Sequence, residues 1–299
     1  MLRSIPTLVC LLAVTCAVPG HAADTVKFKP LGGASQDAVN LPLKNPEGVA
    51  CGKGTVLVAD TGNGRFVRFT LANDELKNGV ELKLAQVPYP LRLEAAPLDR
   101  VLALDGKSRK IARLTAGGGF EGYLDFQNVP PPVDVVPRSM SVDAKGNIYV
   151  LDVLGDRVLI LDPGGKYTRQ VALPKEHGFV SDLAVDQKGA VYVLDSQTAR
   201  VYKTAPDGAS FQIFATGLQA YLYLAVTIDI DSQGRIYLLD QSDSGVVLLG
   251  ADGSFQGRYL SFGWKGGQLN SPSQACLAEN GVLVIADRNN SRIQTFKIQ

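Results

Sequence analysis

Histidine is almost missing from this chain. Only His21 and His177 occur among 299 residues, and His21 falls in an amino-terminal segment set apart below. One His cannot build a His-rich zinc or iron centre, which needs three or four such ligands. An excess of charge of one sign is missing too, with 30 Lys and Arg against 29 Asp and Glu. That balance excludes a general nucleic-acid binder, which shows a basic surplus on one face. Apart from Ile5 to Val18, no apolar stretch approaches the length of a membrane span. There is no nucleophile elbow, no phosphate-binding glycine loop and no loop with the dense oxygen spacing of an EF-hand. No cofactor is expected.

The amino terminus reads as a secretory signal. Arg3 supplies the positive start, Ile5 to Val18 the apolar core, and Gly20-His21-Ala22 the small residues at the cleavage positions. Cleavage after Ala22 leaves residues 23–299 as one domain, periplasmic or secreted. A retained anchor is the duller alternative, with an apolar run too short to span comfortably. Cys16 as a lipid-attachment site is poorly served by the preceding Thr15. Of four cysteines, Cys51 and Cys276 remain, and an even count in an exported chain suggests a disulfide.

What is abundant is repetition. The stretch Thr55 to Phe69 is an apolar run ending in Asp, a short turn, and a basic residue opening a second apolar run. The terminal Asp returns as Asp60, Asp105, Asp152, Asp195, Asp240 and Asp287, at spacings of 45, 47, 43, 45 and 47 residues. A fixed period of this length marks a repeat architecture. Each repeat divides into four strands. The third is the cleanest: Met140–Asp143, Ile148–Leu151, Arg157–Leu161 and Tyr167–Val171, separated by Gly-, Asp-, Asn- and Pro-bearing turns. The second strand is apolar throughout, as for burial on both faces, and the outer strand alternates. The sixth repeat stops after three strands, and Val26–Pro30 has the alternation to supply the fourth. The expected fold is therefore all-β, a six-bladed propeller of four-stranded antiparallel blades closed by the amino-terminal strand.

Here the chain resembles the NHL-repeat family. Asn45-Pro46-Glu47-Gly48-Val49 with Asp60, Asn63 and Arg65 carries the motif, as does Ser271-Pro272 with Asp287, Asn290 and Arg292. The resemblance covers essentially all of the mature chain. Six-bladed relatives include peptide-amidating and virginiamycin-type lyases, which use several histidines, and gluconolactonase-like propellers, which hold a channel cation with Glu, Asn and Asp. Glu47 and Asp182 could supply two such oxygens here, and no matching Asn is identifiable.

Five residues after each repeated Asp stand Arg65, Lys110, Arg157, Arg200, Gly245 and Arg292. The pairs Asp60–Arg65, Asp152–Arg157, Asp195–Arg200 and Asp287–Arg292 read as structural, in preference to a basic ring for anions. Strands alternate in direction, so the second-to-third turns and the connections between blades share one face with the channel mouth. Departures from the repeat there are the better site candidates. Two positions after the Pro that leads into each blade, or its equivalent, come Gly48, Arg92, Ser139, Asp182, Thr227 and Gln274. Glu47 and Arg138 sit one position earlier, and the connections add Tyr89, Phe179, Tyr221 and Tyr223. Exposed aromatic and Arg residues anchor protein interfaces. The expectation is a monomeric, non-enzymatic exported module that binds a protein, peptide or small ligand through Glu47, Tyr89, Arg92, Arg138, Asp182, Tyr221, Tyr223, Thr227 and Gln274. The alternative is a cation-dependent lactonase or lyase using Glu47 and Asp182. Cys51 and Cys276 have opposite parity on inner strands of neighbouring blades, as facing partners require. A bridge across the ring's seam is expected, with two buried thiols as the alternative.

Overall fold

The computed structural model describes residues 26–299, so the signal segment lies outside the described residues. Twenty-four strands form six four-stranded antiparallel sheets arranged as blades. Blades 1 to 5 are continuous in sequence. Blade 6 joins Ala275–Ala278, Val282–Asp287 and Arg292–Ile298 to the amino-terminal strand Phe28–Ala34. No helix among the described residues is long and apolar enough to cross a membrane.

The second strands explain how the ring holds together. Ile236–Asp240 is buried along its whole length. Alternate side chains of a strand face opposite ways, so Ile236 and Leu238 pack toward blade 4 while Tyr237 and Leu239 pack toward blade 6. The same alternation in every blade produces six apolar clusters, one in each space between neighbours. Phe296 is fully buried in the fifth-to-sixth space, and burial of this kind is worth roughly 1.5–3 kcal/mol per large side chain.

The closing strand runs further than Val26–Pro30. Phe28 pairs with Ile298, and pairing continues past a bulge between Pro30 and Gly32 to Ala34 opposite Ile293. Pro30 is tolerated because this is an edge strand. Gly33 permits the extension, since a Cβ there would lie 2.1 Å from the Ile293 carbonyl oxygen. Across the adjoining seam, Cys51 of blade 1 and Cys276 of blade 6 form a disulfide, their Cα atoms 5.7 Å apart.

The six repeated aspartates are fully buried at the ends of the second strands. Each accepts a backbone N–H from the connection leading into its own blade: Lys44, Tyr89, Val136, Gly178 and Phe179, Tyr223 and Leu224, and Asn270. Arg65, Arg157 and Arg292 donate to Asp60, Asp152 and Asp287 at 2.6, 2.9 and 2.7 Å. Arg200 does not form the fourth such pair among the described residues, although it stands opposite Asp195 in the ladder. Asp195 instead accepts amides from Gly178, Phe179, Gln197 and Thr198. Blade 5, with Gly245, takes its cation from the outer strand: Arg258 reaches Asp240 at 3.3 Å. A side chain at 245 would collide with it, the Cβ falling 2.7 Å from the Arg258 Nη2.

Candidate functional site

The innermost strand of each blade has one edge without a neighbouring strand, and its N–H groups need acceptors. Side chains from other blades supply several. Glu94 accepts from the Val142 amide at 3.1 Å and the Ser141 hydroxyl at 3.3 Å. Asp182 accepts from the Ile228 amide at 2.9 Å and from the Ser139 hydroxyl. Asp229 accepts from the Leu277 amide at 3.2 Å. Gln274 spans from blade 6 to blade 2, donating to the Leu93 carbonyl at 2.6 Å and accepting from its amide at 3.2 Å. These groups, with Arg92 and Thr227, line a chamber of about 140 Å³ inside the channel. Arg92 crosses it to Asp182 at 3.3 Å and donates to the Val226 carbonyl at 2.7 Å.

Burial raises the pKa of all three chamber carboxyls. Glu94 is lifted well above the usual range by burial and then by the charge of Asp229. Asp182 is raised by burial against the opposing pull of Arg92 and its hydrogen bonds. Asp229 goes to about 7, through burial and the charges of Asp182 and Asp231, against the amides of Ile230 and Leu277. A carboxyl with a raised folded pKa binds more protons folded than unfolded, so its contribution to stability falls as pH rises from about 4 to about 7. Asp229→Asn is therefore expected to favour the folded protein more near pH 8 than near pH 4, by on the order of 4 kcal/mol. Guanidinium unfolding at the two pH values measures this, and an equal change in midpoint at both would refute it.

Above the chamber the channel widens to a cavity of about 300 Å³, lined by Glu47, Leu91, Arg92, Arg109, Arg138, Phe179, Ser181, Val226, Gln241 and Ser273. Glu47 stands 3.5 Å from the Arg288 guanidinium. Its pKa is raised by burial, with Arg288 and Arg92 pulling the other way. Arg138 lies over the Phe179 ring, 4.1 Å from its centroid. Burial lowers the Arg138 pKa, and Arg109 and Arg92 lower it further. Arg109 belongs to the tight turn after Asp105, whose carboxylate accepts from the Lys107 and Ser108 amides.

Of the residues expected at the site, Glu47, Arg92 and Arg138 meet in the mouth cavity, and Arg92, Asp182, Thr227 and Gln274 meet in the chamber. The tyrosines do not join them. Tyr89 has Lys107 over its ring, Tyr221 stacks on Phe255 at 3.7 Å, and Tyr223 is 75% exposed. Glu94 and Asp229 were missed, though the two-residue alternation from Arg92 and Thr227 points to both. Arg109 was missed as well, although its turn belongs to the mouth face.

A divalent cation fits this donor set badly. Glu47 and Asp182 occupy different compartments, and the hydrogen bonds of Asp182 go to Ser139 and Ile228 beside Arg92. Glu47 faces Arg288 and Arg92, whose charges oppose a second cation. No group of three His, Cys, Asp or Glu among the described residues is placed to hold a metal. His177 lies elsewhere, 2.8 Å from the Asp156 carboxylate.

Residues 269–296 match the NHL repeat family model, and the six four-stranded blades fit the NHL-type propeller expected from the motifs. No curated protein sequence matches the chain. Among solved structures, virginiamycin B lyase from Staphylococcus aureus with quinupristin is 14% identical, covering 91% of this chain and 99% of its own, with a TM-score of 0.64. A gluconolactonase from Xanthomonas campestris is also 14% identical, over 91% and 98%, with a TM-score of 0.65. A streptogramin B lyase is 13% identical over 92% and 97%, with a TM-score of 0.59. Identity this low speaks for the fold. The expectation of a non-enzymatic binding module is nonetheless overturned. The ring is shared with proteins named as lyases and a lactonase. The mouth holds a recessed carboxylate among guanidinium groups.

Proposed function

We propose that this chain is an enzyme of the lactonase or lyase kind, cleaving the C–O bond of a cyclic ester at the channel mouth. The observation that carries the reading is Glu47 in one cavity with Arg92: a carboxylate to move a proton, and a fixed cation to meet the negative charge that develops on oxygen. In hydrolysis, Glu47 takes a proton from water as the water oxygen adds to the carbonyl carbon, and the ring oxygen leaves protonated. In elimination, Glu47 takes the proton from the carbon beside the alkoxy carbon, the C–H pair becomes a C=C bond, and the ester oxygen leaves with the C–O pair as a carboxylate. Both routes need the same pair of groups, and Arg92 is held in place by Asp182 and the Val226 carbonyl.

Screening lactones and cyclic depsipeptides with the purified protein tests the proposal. Acid release without new ultraviolet absorbance marks hydrolysis, and an unsaturated product marks elimination. Glu47→Gln should lower kcat about 10²–10⁴-fold with an unchanged Tm. Because the base must be ionised, the wild-type rate should rise with pH through the raised pKa of Glu47. A fully active Glu47→Gln variant would remove the assignment.

A further inference from the structure

We infer that the mouth cavity grips a substrate carboxylate through Arg138 and Arg109, so that the substrate class is an organic acid bearing its cleavable ester. The inference rests on the placement of the reaction at Glu47. Three guanidinium groups line this cavity, and only one of them has an acidic partner among the described residues: Arg92, with Asp182. Glu47, the cavity's own carboxylate, pairs with Arg288. Arg109 and Arg138 form no ion pair there. The Arg138 Nε is buried with no hydrogen-bond partner, a condition that in a native fold calls for a ligand or other partner to supply the acceptor.

The geometry favours a carboxylate over a spherical anion. Arg138 lies against the Phe179 ring, and a stacked guanidinium presents its N–H edge as a planar fork that matches two carboxylate oxygens. Burial and, after it, the positive charges of Arg109 and Arg92 push the Arg138 pKa down, and the charge repulsion is relieved when an anion arrives. Ser181, Gln241 and Ser273 complete the wall with neutral polar groups; Ser181 and Ser273 already donate to the Ala225 and Pro46 carbonyls, so their oxygens are suited to accept from hydroxyl groups on the rest of the molecule.

Calorimetry on the full protein with succinate, succinamide and inorganic phosphate tests this without turnover. Succinate should bind, succinamide should bind at least about 10-fold more weakly, and phosphate, which the fork also fits, should bind no more tightly than succinate. Arg138→Gln should weaken succinate about 10–100-fold, and Arg138→Lys nearly as much because the fork is lost. Arg113→Gln, on the outer surface where Arg113 donates to the Pro163 carbonyl, should change nothing. Equal affinity for succinamide, tighter binding of phosphate, an unaffected Arg138→Gln variant, or no succinate binding at about 10 mM would each overturn the inference. Glu47→Gln should still bind succinate. An active Glu47→Gln variant that binds it counts against the reaction assignment alone, and an inactive one in a protein that ignores succinate counts against the carboxylate alone.

Discussion

Arg65→Ala is expected to cost about 3–5 kcal/mol of unfolding free energy. Arg65 is 1% exposed and donates to Asp60 at 2.6 Å, to Asp37 at 2.7 Å and to the Leu41 carbonyl at 3.2 Å. Its removal leaves two buried carboxylates facing each other without a cation. Backbone amides soften the loss: Lys44 donates to Asp60, and Val39 and Leu41 to Asp37, but none of them carries a full charge. Lys77→Ala, which breaks an exposed pair with Glu75 at 2.9 Å, should cost less than about 1 kcal/mol. Acid should narrow the difference. Burial works to raise the Asp37 pKa, but hydrogen bonds from Leu41 and Arg65 prevail and hold it below its ordinary value. Its contribution is therefore present above the unfolded pKa of about 3.9 and is lost as pH falls through the lower folded one. Denaturant unfolding near pH 7 and near pH 3 decides the matter, and an equal loss for Arg65→Ala and Lys77→Ala would defeat it.

Removing the seam disulfide should have a comparable effect. The Cys51–Cys276 bond closes a loop with a sequence separation of 225, for which the chain-entropy relation gives roughly 5 kcal/mol as an upper figure. The double variant Cys51→Ala, Cys276→Ala is expected to lose about 3–5 kcal/mol, since both side chains also pack against the cluster between blades 1 and 6. The strand clasp in blade 6 does not shield the ring from this loss, because that pairing is absent from the unfolded chain. Unfolding the wild type with and without reductant should reproduce the gap. Free thiols in the unreduced, denatured protein, or coincident curves, would contradict it.

The architecture was legible because its cause is periodic. An Asp that closes each second strand must recur once per blade, and the connection amides it accepts are local to that blade. Its cationic partner was less legible. In blade 5 the guanidinium comes from Arg258, thirteen residues beyond the Gly245 position where the pattern places it, and only the folded sheet brings it in. The site divides along the same line. The residue two positions after the entry Pro, or its equivalent, marked the channel wall in blades 2 to 6, including Arg92 and Asp182. The tyrosines lie outside both cavities, because exposure and stacking such as that between Tyr221 and Phe255 depend on loop paths that no repeat encodes. Charge balance in the cavity is not written in the repeat for a related reason: Glu47 takes Arg288 from blade 6, and Arg109 and Arg138 repel one another across the mouth.

Pairing Phe28–Ala34 with Arg292–Ile298 has a consequence for biosynthesis. Phe28–Ala34 is synthesised well before Arg292–Ile298, and its hydrogen-bonding edge stays open until that partner has been made. An interrupted chain would carry that sticky edge indefinitely, and at high concentration two such chains can exchange ends. Expression conditions that slow elongation should accordingly favour swapped dimers over monomeric rings.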